Sequence, residues 1–184
     1  LNQNSLNLLL NQVVTLDGEP LYESYELDFS HCKKFIEPIG VAFINNLIEW
    51  LLSKEIKVEI AYSDLSESDV WEDEKNSPQR FLDDCGFFEK FFGEKIYPLS
   101  SLRETTVPLT DVRMNNFNQW LDTDFIPWMG KAINKEPVEL ATFKVCIEEI
   151  FNNVRDHAQQ NSSCVFAQHF PTNNQLIISI ADIG

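Results

Sequence analysis

The chain predicts an α/β protein built as two units, and three observations carry that expectation. Segments of alternating apolar and polar residues interleave with segments of helical apolar spacing. Two polar, proline-bearing stretches, residues 63–79 and 93–111, punctuate them. The composition, 184 residues of which 43% are hydrophobic, with 14 Phe and 4 Trp, supplies one large core or two small ones.

In the first unit, "YELDFS" (25–30) alternates and is rich in strand-prone residues, Pro38 to Leu52 has helical apolar spacing, and "IKVEIAY" (56–62) alternates again. The order is strand, helix, strand. The acidic stretch "SDLSESDVWEDEKNSPQ" (63–79) has no apolar periodicity and reads as a loop. "PQRFLDDCGFFEKFFG" (78–93) then opens with Pro at a first helical turn and carries Phe81, Leu82, Cys85, Phe88 and Phe91 at three- and four-residue spacing. That pattern predicts one closing helix. Residues 94–110, with two prolines and many hydroxyls, read as a linker.

The second unit, 111–184, starts at Asp111, an N-cap for a helix running through "VRMNNFNQWLDTDFIPWM", which Pro127 kinks or ends. A second helix opens at Glu136 before Pro137 and continues to about Ala158. "SCVFAQHF" and "QLIISIAD" follow as two strands joined by "PTNN", residues 171–174, a hairpin turn.

The helix ending at Ala158 carries the densest chemistry. At ~100° per residue, Leu140, Phe143, Ile147, Ile150, Phe151, Val154 and Ala158 fall on one arc, the predicted core stripe. Glu149, Asn153 and His157, four apart, form a ladder beside it. Glu148, Asn152 and Asp156 form a second ladder, placed by this stripe on a more solvent-facing side. A carboxylate and an amide oxygen on one ladder suit a hard cation such as Mg²⁺, which shares its coordination sphere with phosphates. Spacing alone does not choose between the ladders. A plain alternative exists for each residue: a solvated helix flank for the ladders, a histidine near the C-terminal dipole for His157, and a strand-ending turn residue for Asp182.

Composition excludes some classes. The balance of 14 basic against 29 acidic residues, net −15, repels a phosphate backbone, so nucleic acid is not an expected partner. Cys32, Cys85, Cys146 and Cys164 form no C-x-x-C pair, which points to free thiols in a reducing cytoplasm rather than a zinc site. No apolar run approaches the ~20 residues a membrane span needs. The chain begins without Met and stops in mid-motif, and so reads as a fragment of something longer.

Two resemblances sharpen these expectations. "ELDFSHCKKFIEPIG", the helix after it, "IKVEIAY" and "RFLDDCGFF" resemble the STAS domain, the fold of anti-sigma-factor antagonists, over about residues 10–93. Phospho-switching members carry Asp-Ser-Ser-Gly where this chain has Glu37, Pro38, Ile39 and Gly40, so the resemblance implies docking of a protein partner and no phosphate acceptance there. The pattern E-x-x-x-N-x-x-x-H-A on a helix, followed by a hairpin ending in "ADIG", is similar to the N box and the start of the G1 box of the GHKL ATPases, among them histidine kinases and anti-sigma-factor serine kinases. Aligned on "HA", that resemblance selects the Glu149 ladder. It implies that Asn153 ligates Mg²⁺, that Glu149 orients or deprotonates water, and that Asp182 accepts from the adenine amino group, with His157 and Gly184 in the ATP-contacting set. The implied architecture is a STAS-like sheet-plus-helices unit followed by the N-terminal part of a GHKL-type α/β sandwich. The implied function is ATP-binding signalling, as ATPase or protein kinase, and a homo-oligomer is compatible with it. The other class left open is a non-catalytic interaction module that retains a degenerate ATPase fold.

Overall fold

The computed structural model describes residues 3–32, 34–63, 77–97, 99–158 and 161–182. It is a mixed α/β protein that divides into two compact units, Leu1–Leu102 and Arg103–Gly184.

The first unit contains α1 (Gln3–Val13), β1 (Ser24–Asp28), α2 (Pro38–Ser53), β2 (Lys57–Ala61), α3 (Pro78–Asp84) and α4 (Phe87–Phe92). The expected strand-helix-strand is present: β1 and β2 pair in parallel, Ser24 opposite Lys57 through Asp28 opposite Ala61, with α2 as the crossover. Pro38 starts α2 at the position where a missing N–H costs nothing, and Glu37 caps it with extended backbone and no side-chain bond. Val13, Leu47 and Leu51 are buried together, with Tyr25, Phe43, Trp50 and Val58 packed against them. The α1 helix had no counterpart in the sequence reading.

The single closing helix expected over 78–93 is instead two helices. Gly86 adopts a left-handed φ of 85° between α3 and α4, a conformation glycine takes without steric cost. The break lets Phe87 and Phe88 both turn inward, where each meets Phe29 edge-on at 5.6 and 6.1 Å. The Asp83 carboxylate, fully buried, accepts the Ile96 and Tyr97 N–H groups at 3.1 and 2.9 Å. Asp84 accepts from Arg80 Nε at 3.2 Å, Ser100 Oγ at 2.8 Å and the Ser101 N–H at 3.0 Å. Two adjacent aspartates thus tie the following chain onto α3.

The second unit contains β3 (Thr106–Arg113), α5 (Phe117–Trp120), a π-helical turn (Leu121–Phe125), α6 (Ile126–Ile133), a 3-10 turn (Pro137–Leu140), α7 (Ala141–Ala158), β4 (Ser162–Phe170) and β5 (Gln175–Ala181). The sheet order is β3-β4-β5, antiparallel throughout. Two expectations are corrected here. The stretch read as a linker contains the first residues of β3, and Asp111 lies within that strand rather than at a helix N-cap, a helix starting only at Phe117. Among the described residues β3 is an edge strand with a register shift between Val107 and Thr110, so Pro108 removes no needed ladder bond. The helical run does not end at Pro127: a π turn precedes the proline, Ile126 N–H bonding to Leu121 O, and the helix continues as α6 to Ile133 with Pro127 in its first turn.

Among the described residues no helix is long and apolar enough to cross a membrane. Among the described residues no two cysteines form a disulfide.

Candidate functional site

The ladder-bearing helix α7 is positioned from its start. Gly130 passes so close to the next segment that a Cβ there would lie 2.7 Å from Lys135 O, and Asn134 turns the chain with a φ of 55°. Glu136 caps the 3-10 turn, and its N–H is accepted by the Glu139 carboxylate at 2.9 Å. From there α7 runs over the sheet. Ile147 and Phe151 pack with Phe117, Leu121, Phe125, Val165 and Ala167, and Phe117 stacks on Phe151 at 5.2 Å.

The same packing identifies which sheet face the helix covers. Val165 and Ala167 point to it from β4, and their antiparallel partners Ile180 and Ile178 pack against the same cluster from β5. Side chains alternate along a strand. Carried one residue past Ala181, where β5 and its pairing with β4 end, that alternation puts Asp182 on the α7 side. Ala158 and Ser162 are only four residues apart, a span of at most about 14 Å, so the last turns of α7 and the Asp182 end of the hairpin share one end of the sheet.

The rotation of α7 departs from the predicted stripe. Leu140, Ile147 and Phe151 are buried and Val154 is half-buried, but Phe143 and Ile150 are 37% and 43% exposed. The helix is turned toward Lys144, whose ammonium pairs with Asp122 of the π turn and with Glu148 at 3.7 Å. Two members of each ladder exchange the environments expected of them, while Asp156 is exposed as expected. Glu148 and Asn152 are half-buried, whereas Glu149 and Asn153 are exposed and form no ion pair or side-chain hydrogen bond among the described residues. Exposure is what a ligand-contacting carboxylate and amide require. Asp182 is half-exposed. The side chain of His157 and the whole of Gly184 lie outside the described residues.

Sequence reasoning passed over Ser163 and Lys144. Ser163 is 1% exposed, and its Oγ has no hydrogen-bond partner among the described residues. The signal was present in "SSCVFAQHF", where Ser163 shares the inward register of Val165 and Ala167. Lys144 was hidden because a lysine beside an apolar stripe reads as a solvated flank.

Among the described residues no three His, Cys, Asp or Glu side chains converge to hold a metal ion. A cation at Asn153 would therefore take its other oxygens from phosphate and water, as Mg²⁺ commonly does. At the start of α2, Ile39 is 52% exposed and has no hydroxyl. No family model matches the chain, and neither does any curated protein or solved structure.

Proposed function

We propose that Arg103–Gly184 is a nucleotide-binding unit of the histidine-kinase-like ATPase type and that Leu1–Leu102 is a STAS-like unit that docks a protein partner. In this reading Asn153 ligates a Mg²⁺ ion bridging the phosphates of ATP, and Asp182 accepts from the adenine amino group. Glu149 orients or deprotonates water, with His157 and Gly184 among the nucleotide contacts. The supporting observation is that α7 lies on the sheet face to which strand alternation assigns Asp182, with Glu149 and Asn153 exposed about one turn apart. Supporting it further, the ligand set is oxygen-only, which suits Mg²⁺ and triphosphate in an otherwise acidic protein.

Calorimetric titration of Mg-ATP into the chain and its Asn153→Ala and Asp182→Ala variants tests the reading. Saturable, Mg-dependent heat that either substitution removes is the expected result. Binding unchanged in both variants would refute the site.

A second reading is favoured by exposed apolar residues. Phe143, Val145 and Ile150 stand out from α7, the last of them one helical turn from Asn153, and suit a protein partner better than a nucleotide. A chain that gave no heat with Mg-ATP would support this non-catalytic interaction module.

A further inference from the structure

Among the described residues of the first unit, β2 has β1 on one side and no strand on the other. The Phe29 N–H donates to Ala61 O at 2.8 Å, which turns the Ala61 backbone toward β1. Backbone direction alternates along a strand, so Lys57 and Glu59 also face β1, while the N–H and C=O groups of Val58 and Ile60 face the open edge. No backbone hydrogen bond meets them there among the described residues. A groove of about 520 Å³ runs along this edge, lined by Leu52 of α2, Phe91 and Phe92 of α4, and β2 from Val58 to Ile60. Leu52, Phe92 and Tyr62 stay exposed around it. Sheet edges are commonly guarded by a lysine or by an inward-pointing charge. Here the inward register holds Val58 and Ile60, and Lys57 on the outer face is matched by Glu59 two residues on, with which it forms an exposed ion pair. The edge therefore carries both signs and repels neither.

We infer that the open edge of β2 pairs with the same edge of a second copy of this chain, antiparallel about a two-fold axis through Val58. An antiparallel partner must bring outward-facing backbone groups together, which leaves registers centred on Val58, Glu59 or Ile60. Centring on Glu59 sets the two Glu59 carboxylates directly opposite each other, which is destabilising. Centring on Ile60 sets Lys57 and Glu59 opposite Ser63 and Ala61, where neither charge is answered. Centring on Val58 sets Lys57 of each copy opposite Glu59 of the other, so one strand supplies two complementary pairs. Val58 then exchanges both of its backbone hydrogen bonds with its own counterpart. The joined sheet runs β1-β2-β2-β1, and the two-fold closes the assembly at two copies. Pairing also places the exposed Leu52 and Phe92 of each copy beside a second apolar strand rather than water. The inference draws on β2 and its surroundings and does not depend on nucleotide binding.

The experiment is sedimentation velocity over a protein concentration series on wild type, Glu59→Lys, Lys57→Glu and an equal mixture of the two variants. The net charge of −15 on each copy opposes approach, so the series is run at about 0.15 M salt, where the screening length is about 8 Å. Wild type should pass from the 21.3 kDa chain to twice that mass as concentration rises. Each variant alone should self-associate about tenfold or more weakly, since it sets like charges opposite each other twice. The mixture should recover the dimer, because each variant supplies the charge the other lacks. Melting temperatures of the variants should stay close to wild type, as an exposed ion pair adds little to folding. Amide hydrogen exchange on wild type reads the same edge without a substitution: Val58 N–H protection should rise with concentration, and that of Glu59, which faces β1, should not. Wild type monomeric throughout, single variants that dimerise like wild type, or a mixture that stays monomeric would each overturn the proposal. So would Val58 protection brought about only by an added peptide of alternating lysine and valine, which would give the edge to a different chain.

Discussion

The Lys144 ammonium on α7 bridges Asp122 of the π turn to Glu148, one helical turn further along α7. It ties the helix that carries Glu149 and Asn153 to the irregular segment before it. The hydrogen bond to Asp122 is the main cause holding the lysine pKa above its ordinary value of 10.5, with the charges of Asp122 and Glu148 adding to it.

A group whose folded pKa is raised contributes stability that is present below the unfolded pKa and lost as pH rises through the folded one. Lys144→Met should therefore melt below wild type at neutral pH. The gap between the two should close above about pH 10.5, the ordinary lysine value. Thermal melts of both proteins from pH 7 to 12 check this, and a gap that widened with pH would contradict the ion pair. Because the pair is exposed, added salt should shrink the gap as well.

Glu149 and Asn153 should separate cleanly by measurement. On the proposed ATP reading, Asn153→Ala should abolish Mg-dependent ATP binding, since Asn153 is there the protein's oxygen ligand to the metal. Glu149→Gln should leave affinity within about twofold and slow hydrolysis by about 10²–10⁴-fold, because the amide keeps the shape and cannot accept a proton from water. A steady-state phosphate-release assay beside the calorimetry reads both. Equal loss of binding in the two variants would show that the ladder acts as one structural element.

Asp83→Asn should destabilise the first unit by about 2 kcal/mol. An asparagine accepts one of the N–H bonds now made by Ile96 and Tyr97, and its own NH₂ then faces the other donor in a fully buried place. Urea denaturation followed by fluorescence gives the midpoint. A midpoint equal to wild type would mean that the carboxylate is dispensable.

Gly130→Ala pits two effects against each other. Alanine favours the helix by about 0.5–1 kcal/mol, whereas forcing a methyl into a packed backbone contact costs about 1–3 kcal/mol. With the Cβ placed 2.7 Å from Lys135 O, a backbone atom that cannot swing aside, the clash should win and the melting temperature should fall by a few degrees. A rise would show that the junction before α7 is slack.

Much of the fold was legible because it is written in local periodicity. The β1-α2-β2 crossover, the Glu136-capped 3-10 turn that leads into α7, and the β4-β5 hairpin all follow from residue spacing and turn chemistry within a few positions of one another. The break at Gly86 and the strand β3 were not legible in that way. A glycine within an apolar run and a proline within a polar one acquire their meaning from the partners they meet, Phe29 in the first case and the edge of β4 in the second.

The candidate site divides along the same line. The residue types Glu149, Asn153, His157 and Asp182, with their spacing along α7 and β5, are properties of the sequence by itself. Which ladder faces solvent was decided by tertiary structure, because the rotation of an amphipathic helix depends on what its borderline residues find. In the fold Lys144 pairs with Asp122, Ile147 and Phe151 are buried, Phe143 and Ile150 are out, Glu148 is partly in, and Glu149 and Asn153 are exposed. The burial of the Ser163 hydroxyl is likewise set by strand register across the sheet, where it pairs with Val112 of β3, a relation between residues about fifty positions apart that no local pattern encodes.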